Sequence, residues 1–156
     1  MADIVSPERR SRMMVGIRGK GTQPELTLRS ALHRRGYRFR LHTKSLPGVP
    51  DLVLRKYKAV IFAHGCFWHA HGCHLFKWPS SRQSFWREKI GANKLRDEAT
   101  MLSLLEAGWR VAVVWECALK GKHRLQLAEV IEKCEDWLRS EDRTLEISGR
   151  EARPPL

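Results

Sequence analysis

Apolar and polar positions alternate along this chain with two periods, and the switches between them outline its elements. Ser6-Pro7-Glu8 reads as an N-cap with proline at the first helical position, opening a short basic helix toward Arg18 that Gly19-Lys20-Gly21 breaks. Thr22-Gln23-Pro24-Glu25 has the spacing of a capping box and starts a second helix that should stop at Gly36. Tyr37, Phe39 and Leu41 then alternate with Arg38, Arg40 and His42, the period of a half-buried strand. The turn Pro47-Gly48-Val49-Pro50 leads into Asp51-Leu52-Val53-Leu54, and Arg55-Lys56 separates that run from Ala59-Val60-Ile61-Phe62-Ala63. Those two runs predict a hairpin whose second strand is the more deeply buried. Residues 64–80, rich in His, Cys, Gly and Trp, show no period and predict a loop. A long helix is expected over 82–107, with Phe85, Ala92, Leu95, Ala99 and Leu102 on its apolar face and Gly108 at its end. Val111-Ala112-Val113-Val114-Trp115 predicts a buried strand, and a last helix should cover 122–139 with Leu127, Ile131, Cys134 and Leu138 in phase. Residues 140–156 are polar, finish near Pro154-Pro155, and predict a loose tail.

The order helix, helix, three strands, helix, strand, helix predicts the α/β class, with a mixed sheet flanked by helices. A chain of 156 residues suits one domain. With 42% hydrophobic and 29% charged residues it has the composition of a folded protein, which excludes a disordered one. No apolar run approaches the ~20 residues that a bilayer requires, and the N-terminus lacks an apolar signal core. The expectation is a soluble cytoplasmic protein.

Charge narrows the partner. The formal net charge is +12, and residues 1–44 hold 11 basic against 3 acidic side chains. Such an excess predicts a polyanion, because Lys and Arg that displace condensed counterions drive binding to nucleic acid. The basic segment is a poor amphipathic anchor, so nucleic acid is the better candidate than a membrane surface.

Chemistry concentrates in His64-Gly-Cys66-Phe-Trp-His69-Ala-His71-Gly-Cys73-His74, which packs six possible metal ligands into eleven residues. Zinc takes tetrahedral Cys and His ligation at short spacings, and Cys66, His71 and Cys73 fit three corners. Cys117, at the end of a buried strand, could supply the fourth, whereas Cys134 is in phase with a helix core. Four cysteines in a reducing compartment favour metal over disulfides. Asp51 at the mouth of the hairpin, with His64 and His69 shortly after the partner strand, could hold Mg2+ against a phosphodiester. Phe67 and Trp68 inside the metal loop, and Trp86 about 100° off the apolar stripe of its helix, are candidates for stacking on bases or wedging between them. These readings reach a basic, zinc-containing α/β protein acting as a metal-assisted nuclease.

The stretches Leu46–Val53, Val60–Cys73, Phe85–Gly91 and Gly108–Cys117 closely resemble, together and in order, the very short patch repair (Vsr) endonucleases. The resemblance runs from about Ser11 to Leu138. It implies the restriction-endonuclease fold and a DNA mismatch endonuclease that nicks one strand 5′ of the thymine of a T·G mismatch left by deamination of 5-methylcytosine. It assigns Mg2+ to Asp51 and the backbone carbonyl of Ala63, a position more usually Thr in the family. His69 would act on the attacking water, with His64 and Glu25 supporting the phosphate and the metal-water shell. Structural Zn2+ would sit on Cys66, His71, Cys73 and Cys117. Phe67, Trp68 and Trp86 would enter the DNA beside the mismatch. Arg9, Arg10, Arg12 and Met14 of the N-terminal helix, together with Lys89, would contact the duplex. Residues 1–21 then form a DNA-clamping helix, 22–139 the endonuclease domain and 140–156 a tail, in a monomer that mismatch-repair proteins could assist. A zinc-stabilised DNA-binding protein without catalysis, or a restriction-type enzyme cutting both strands, is the alternative. Retention of Asp51, His64 and His69 together favours the first reading.

Overall fold

The computed structural model of the protein describes residues 21–150. The basic helix expected before Gly19, with Arg9, Arg10, Arg12 and Met14, lies outside the described residues. Helix α1 spans Gln23–Arg34, with Pro24 in its first turn and Thr22 as N-cap. No side-chain bond closes the expected capping box. Glu25 instead accepts the Gly21 N–H and turns its carboxylate toward Arg29 and His42. Gly36, at φ 95°, stops the helix in the left-handed conformation that a side chain would resist.

Five strands follow: β1 Arg40–Leu41, β2 Leu52–Leu54, β3 Ala59–His64, β4 Arg110–Trp115 and β5 Thr144–Ile147. They lie side by side in chain order, antiparallel from β1 to β3 and parallel from β3 to β5. The expected hairpin is β2 and β3, joined by a 3-10 turn at Arg55–Tyr57. Helix α2 (Gln83–Glu106) leads into β4. A short helix α3 (Glu116–Leu119) and helix α4 (Leu127–Arg139) lead from β4 to β5.

Strand alternation divides the core between the two faces of the sheet. Leu52, Leu54, Ala59, Ile61, Ala112 and Val114 pack with Leu28 and Leu32 of α1 and with Val130, Ile131, Cys134, Trp137 and Leu138 of α4. Val53, Val60, Phe62, Val111 and Val113 face the other way, against Leu104, Met101 and Leu105 of α2. The result is a mixed α/β sheet covered on both sides, as the order of elements predicts.

Three expectations are corrected. The apolar face read for α2 is its outer face: Leu95 is 69% exposed, Leu102 61% and Phe85 40%. Ile90 and Leu104 are the helix's buried residues, and the row that continues them toward the sheet includes Trp86, Asn93, Asp97 and Met101. That inward row contains the polar Asn93 and Asp97, so hydrophobic phasing picks the wrong side. The tail expected from residue 140 is in part a strand, because β5 pairs with β4 from Val111↔Thr144 to Val114↔Ile147. Four residues ending in Glu146-Ile147 carry too little apolar alternation to register without their partner strand. The strand expected over 37–41 contracts to Arg40–Leu41, while Tyr37 packs into the core.

Candidate active site

The chemistry-bearing residues gather where β3 and β4 end, the carboxyl edge of the parallel pair, with His64 paired to Trp115. Asp51 precedes β2 and lies beside the end of the antiparallel β3. Its Oδ2 accepts the Ala63 N–H at 2.7 Å. Burial pushes the Asp51 carboxyl up to about 6, Ala63 N–H opposing and nearby Glu25 reinforcing the shift. Glu25, 1% exposed, comes from α1. Burial works to raise its pKa, yet hydrogen bonds from His42 and the Gly21 N–H bring it below the usual carboxylate range. His42 Nε2 lies 2.8 Å from Glu25 Oε1 and 3.8 Å from Asp51 Oδ1. Two carboxylates thus share one cleft with an imidazole, and Arg29 answers only the Oε2 atom of Glu25, an arrangement suited to a divalent cation.

Beside this group the His64 and His69 rings stack, centroids 3.8 Å apart and planes 5° from parallel. Burial, followed by the neighbouring His69, drives the His64 pKa down to about 3, which keeps its ring neutral. His69 Nδ1 is hydrogen-bonded to Asp97 Oδ2 from the inward face of α2. That bond fixes the ring and leaves Nε2 as the nitrogen for a proton transfer. Ala70 stands in the left-handed region at φ 52°. The chain turns sharply there, and His69 and His71, two residues apart, serve different clusters.

The second cluster is Cys66, His71, Cys73 and Cys117, whose donor atoms all lie within 4.8 Å of one another. Cys66 Sγ and Cys117 Sγ are each 3.5 Å from His71 Nδ1. The hydrogen bond from Cys66, helped by His71 and the Gly149 N–H, holds the Cys117 thiol down to about 4 against the effect of burial. Three sulfurs and one imidazole nitrogen, all from a loop and the start of α3, form a closed donor set of the kind zinc takes in structural sites. Cys134 is remote from this group, buried in the α1/α4 core, and burial pushes its thiol up to about 12.

Phe67, Trp68 and Trp86 form one aromatic group, with centroid separations of 5.1, 5.4 and 5.8 Å. All three are half-buried, neither in the core nor free of it, and Asn93 of α2 donates to the Trp68 carbonyl at 3.2 Å. Lys89 is half-buried on the same helix. The two clusters meet at Trp115, whose indole stacks on His71 at 4.0 Å and 8° and meets His64 edge-on at 5.4 Å.

Four contributors are not apparent from sequence spacing. His42 reads as the polar side of a strand, Asp97 as the solvent side of a helix, and Trp115 as core. Gly149 falls in the supposed tail, yet its N–H donates to Cys117 Sγ at 3.2 Å. The 86-90-93-97 spacing of α2 was the one available signal for Asp97, since it puts that carboxylate on the row of Trp86 and Ile90.

The family model described as DNA mismatch endonuclease Vsr matches residues 2–75. The DNA mismatch endonuclease Vsr of Escherichia coli is 46% identical over 147 residues, covering 94% of each chain. The Type II nicking enzyme V.XorIIP of Xanthomonas oryzae pv. oryzae is 53% identical over 126 residues, 81% of this chain and 93% of its own length. The Type II nicking enzyme V.NmeAIP of Neisseria meningitidis is 45% identical over 122 residues, 78% of this chain and 87% of its own length. With the two clusters at the carboxyl edge of a mixed sheet, these similarities show that the chain belongs to the Vsr family of DNA mismatch endonucleases.

Proposed function

We propose that this protein nicks one strand of duplex DNA 5′ of the thymine in a T·G mismatch, the lesion left by deamination of 5-methylcytosine, with Mg2+ as catalytic cation and Zn2+ as structural ion. The observation that carries the reading is the convergence of Asp51, His64 and the Asp97-bound His69 at one strand edge. A DNA-binding protein without catalysis has no use for that set.

Phosphodiester hydrolysis needs an activated water, a neutralised phosphorane and a stabilised leaving oxygen. Mg2+ held by Asp51 and the Ala63 carbonyl supplies charge neutralisation when bound. The elevated Asp51 carboxyl, with Glu25 beside it, supports a cation there. His69 takes the water's proton on Nε2, since Nδ1 is committed to Asp97. Neutral His64, stacked on it, hydrogen-bonds the phosphate and braces the ring. Glu25 supports the hydration shell from α1.

Zn2+ on Cys66, His71, Cys73 and Cys117 leaves no open position, so its role is structural. It would order a loop that has few aliphatic side chains of its own, and thereby place Phe67, Trp68 and His69. Wedging Phe67, Trp68 and Trp86 into a wobble pair exploits weaker stacking at T·G, because unstacking it costs less than unstacking a matched pair. Arg9, Arg10, Arg12 and Met14, with Lys89, contact the duplex backbone and the opposite groove. The chain carries a full catalytic set and acts as a monomer, assisted by mismatch-repair proteins in the cytoplasm. Among the described residues no helix is long and apolar enough to cross a membrane.

The test is nicking of a T·G duplex by zinc-loaded protein with Mg2+ added or chelated. Activity that needs added Mg2+ and disappears in Asp51→Asn supports the reading. Full activity under a chelator that leaves zinc in place contradicts the Mg2+ assignment.

A further inference from the structure

His42 stands in the catalytic cleft with no part in the reaction outlined above. It follows β1 at φ 48°, and its N–H bonds to the Asp51 carbonyl at 3.2 Å. This turn carries the imidazole inward, where its side chain is 13% exposed. Nε2 then lies 2.8 Å from Glu25 Oε1 and 3.8 Å from Asp51 Oδ1. Two ligands at right angles on an octahedral ion with bonds of about 2.1 Å sit about 3 Å apart. The donor atoms of Glu25, His42 and Asp51 all fall within 4.8 Å of one another. Glu25 Oε2 is committed to Arg29 at 2.9 Å, which leaves Oε1 facing the imidazole. The cleft therefore presents two carboxylate oxygens and one imidazole nitrogen rather than oxygens alone.

That difference has a chemical consequence. Oxygen-only sites suit Mg2+, whereas an imidazole nitrogen favours the later divalent ions, with affinity rising from Mn2+ toward Co2+.

We propose that His42 Nε2 is a protein ligand of the catalytic cation in addition to Asp51 and the Ala63 carbonyl, that Glu25 Oε1 then reaches the ion directly rather than through its hydration shell, and that the imidazole shifts the site's preference from Mg2+ toward Mn2+ and Co2+. The inference rests on the assignment of that cation to Asp51 and adds a nitrogen donor and a metal preference to it. Binding places the His42 proton on Nδ1 and exchanges the present Nε2–Glu25 hydrogen bond for coordination.

The experiment titrates the full-length, zinc-loaded protein with Mn2+ in the absence of DNA, reading free Mn2+ by electron paramagnetic resonance. The wild type should bind one Mn2+, and Asp51→Asn should lose it. His42→Gln, which keeps a hydrogen-bonding group next to Glu25, should weaken it by about tenfold or more, the scale of losing a metal-site partner. The ratio of Mn2+- to Mg2+-supported kcat should fall in parallel. Proton resonances of the His42 ring in the wild type should broaden on adding Mn2+, a readout that needs no variant. Wild-type Mn2+ affinity in His42→Gln, survival of the site in Asp51→Asn, or an unbroadened His42 ring each overturns the proposal. A wild type that binds Mn2+ as stated but leaves T·G duplexes intact upholds the ligand assignment and rejects the mismatch reading instead.

Discussion

Ala70 shows how one backbone angle separates two chemistries. A non-glycine residue held at φ 52° costs about 1–2 kcal/mol, and here that strain sends His69 toward Asp97 and His71 toward the cysteines. Asp97 matters for the same reason. An imidazole acting as a base needs its second nitrogen occupied, or the proton sits on the wrong atom. Asp97→Asn should slow nicking by roughly 10²-fold, the usual scale for impairing a general base, with duplex binding retained. Single-turnover rates and a binding titration on the same variant measure both, and a wild-type rate would show that the contact is only structural. Gly149 makes the opposite case, where absence of a side chain is the requirement. A Cβ there would lie 2.7 Å from the Cys117 carbonyl oxygen and 2.9 Å from that of His123, both backbone atoms that cannot move aside alone. Gly149→Ala should therefore lower zinc content and thermal stability together, while Cys134→Ser, away from the donor set, should leave zinc content at the wild-type level. Elemental analysis of the two purified variants decides it.

Among the elements, helix α2 is the instructive one. Its outer face carries Leu95 and Leu102, its inner face Asn93 and Asp97, so the apolar stripe and the buried stripe differ. Leu104→Ala, fully buried against Val60 and Val111, should cost about 2–5 kcal/mol. Leu95→Ala should stay within about 0.5 kcal/mol. Chemical denaturation of both variants tests this, and a large loss at Leu95 would mean that its face is covered. Strands β2, β3 and β4 were legible because their side chains are apolar on both faces, and α1 because Pro24 and Gly36 bracket it. The Cys66, His71, Cys73, Cys117 set was legible because ligand chemistry restricts which residue types can converge. Asp97, His42 and β5 were not, since each acquires its role from a partner far along the chain. Strand β5 is held by β4 and by Arg110, whose guanidinium donates to the carbonyls of Trp137, Leu138, Ser140 and Asp142 where α4 ends. Glu146 of β5 in turn accepts the Trp115 Nε1–H at 2.7 Å and steadies the indole between the two clusters.

Across the whole molecule, the proposed function divides affinity and discrimination between different parts. The N-terminal segment holds Arg9, Arg10, Arg12, Arg18 and Lys20, charges that on the proposed reading would attract any duplex, while the aromatic group would respond to how easily a base pair unstacks. Removing residues 1–18 should weaken binding to every duplex and flatten its salt dependence, leaving the preference for T·G largely intact. Trp68→Ala should do the reverse, lowering the nicking preference with a modest change in salt slope. Equal preferences in wild type and Trp68→Ala would return Phe67, Trp68 and Trp86 to a packing role. Both parts serve one proposed outcome, a single cut on a single strand directed by the mismatch. Its most direct measurement is nicking, with Mg2+, of duplexes labelled on both strands that carry either T·G or a matched pair at one position. The expected result is one product, cut 5′ of the mismatched thymine, with the guanine strand whole, matched duplexes uncut, and no product from Asp51→Asn. Cleavage of both strands, or of matched DNA at a comparable rate, would contradict it.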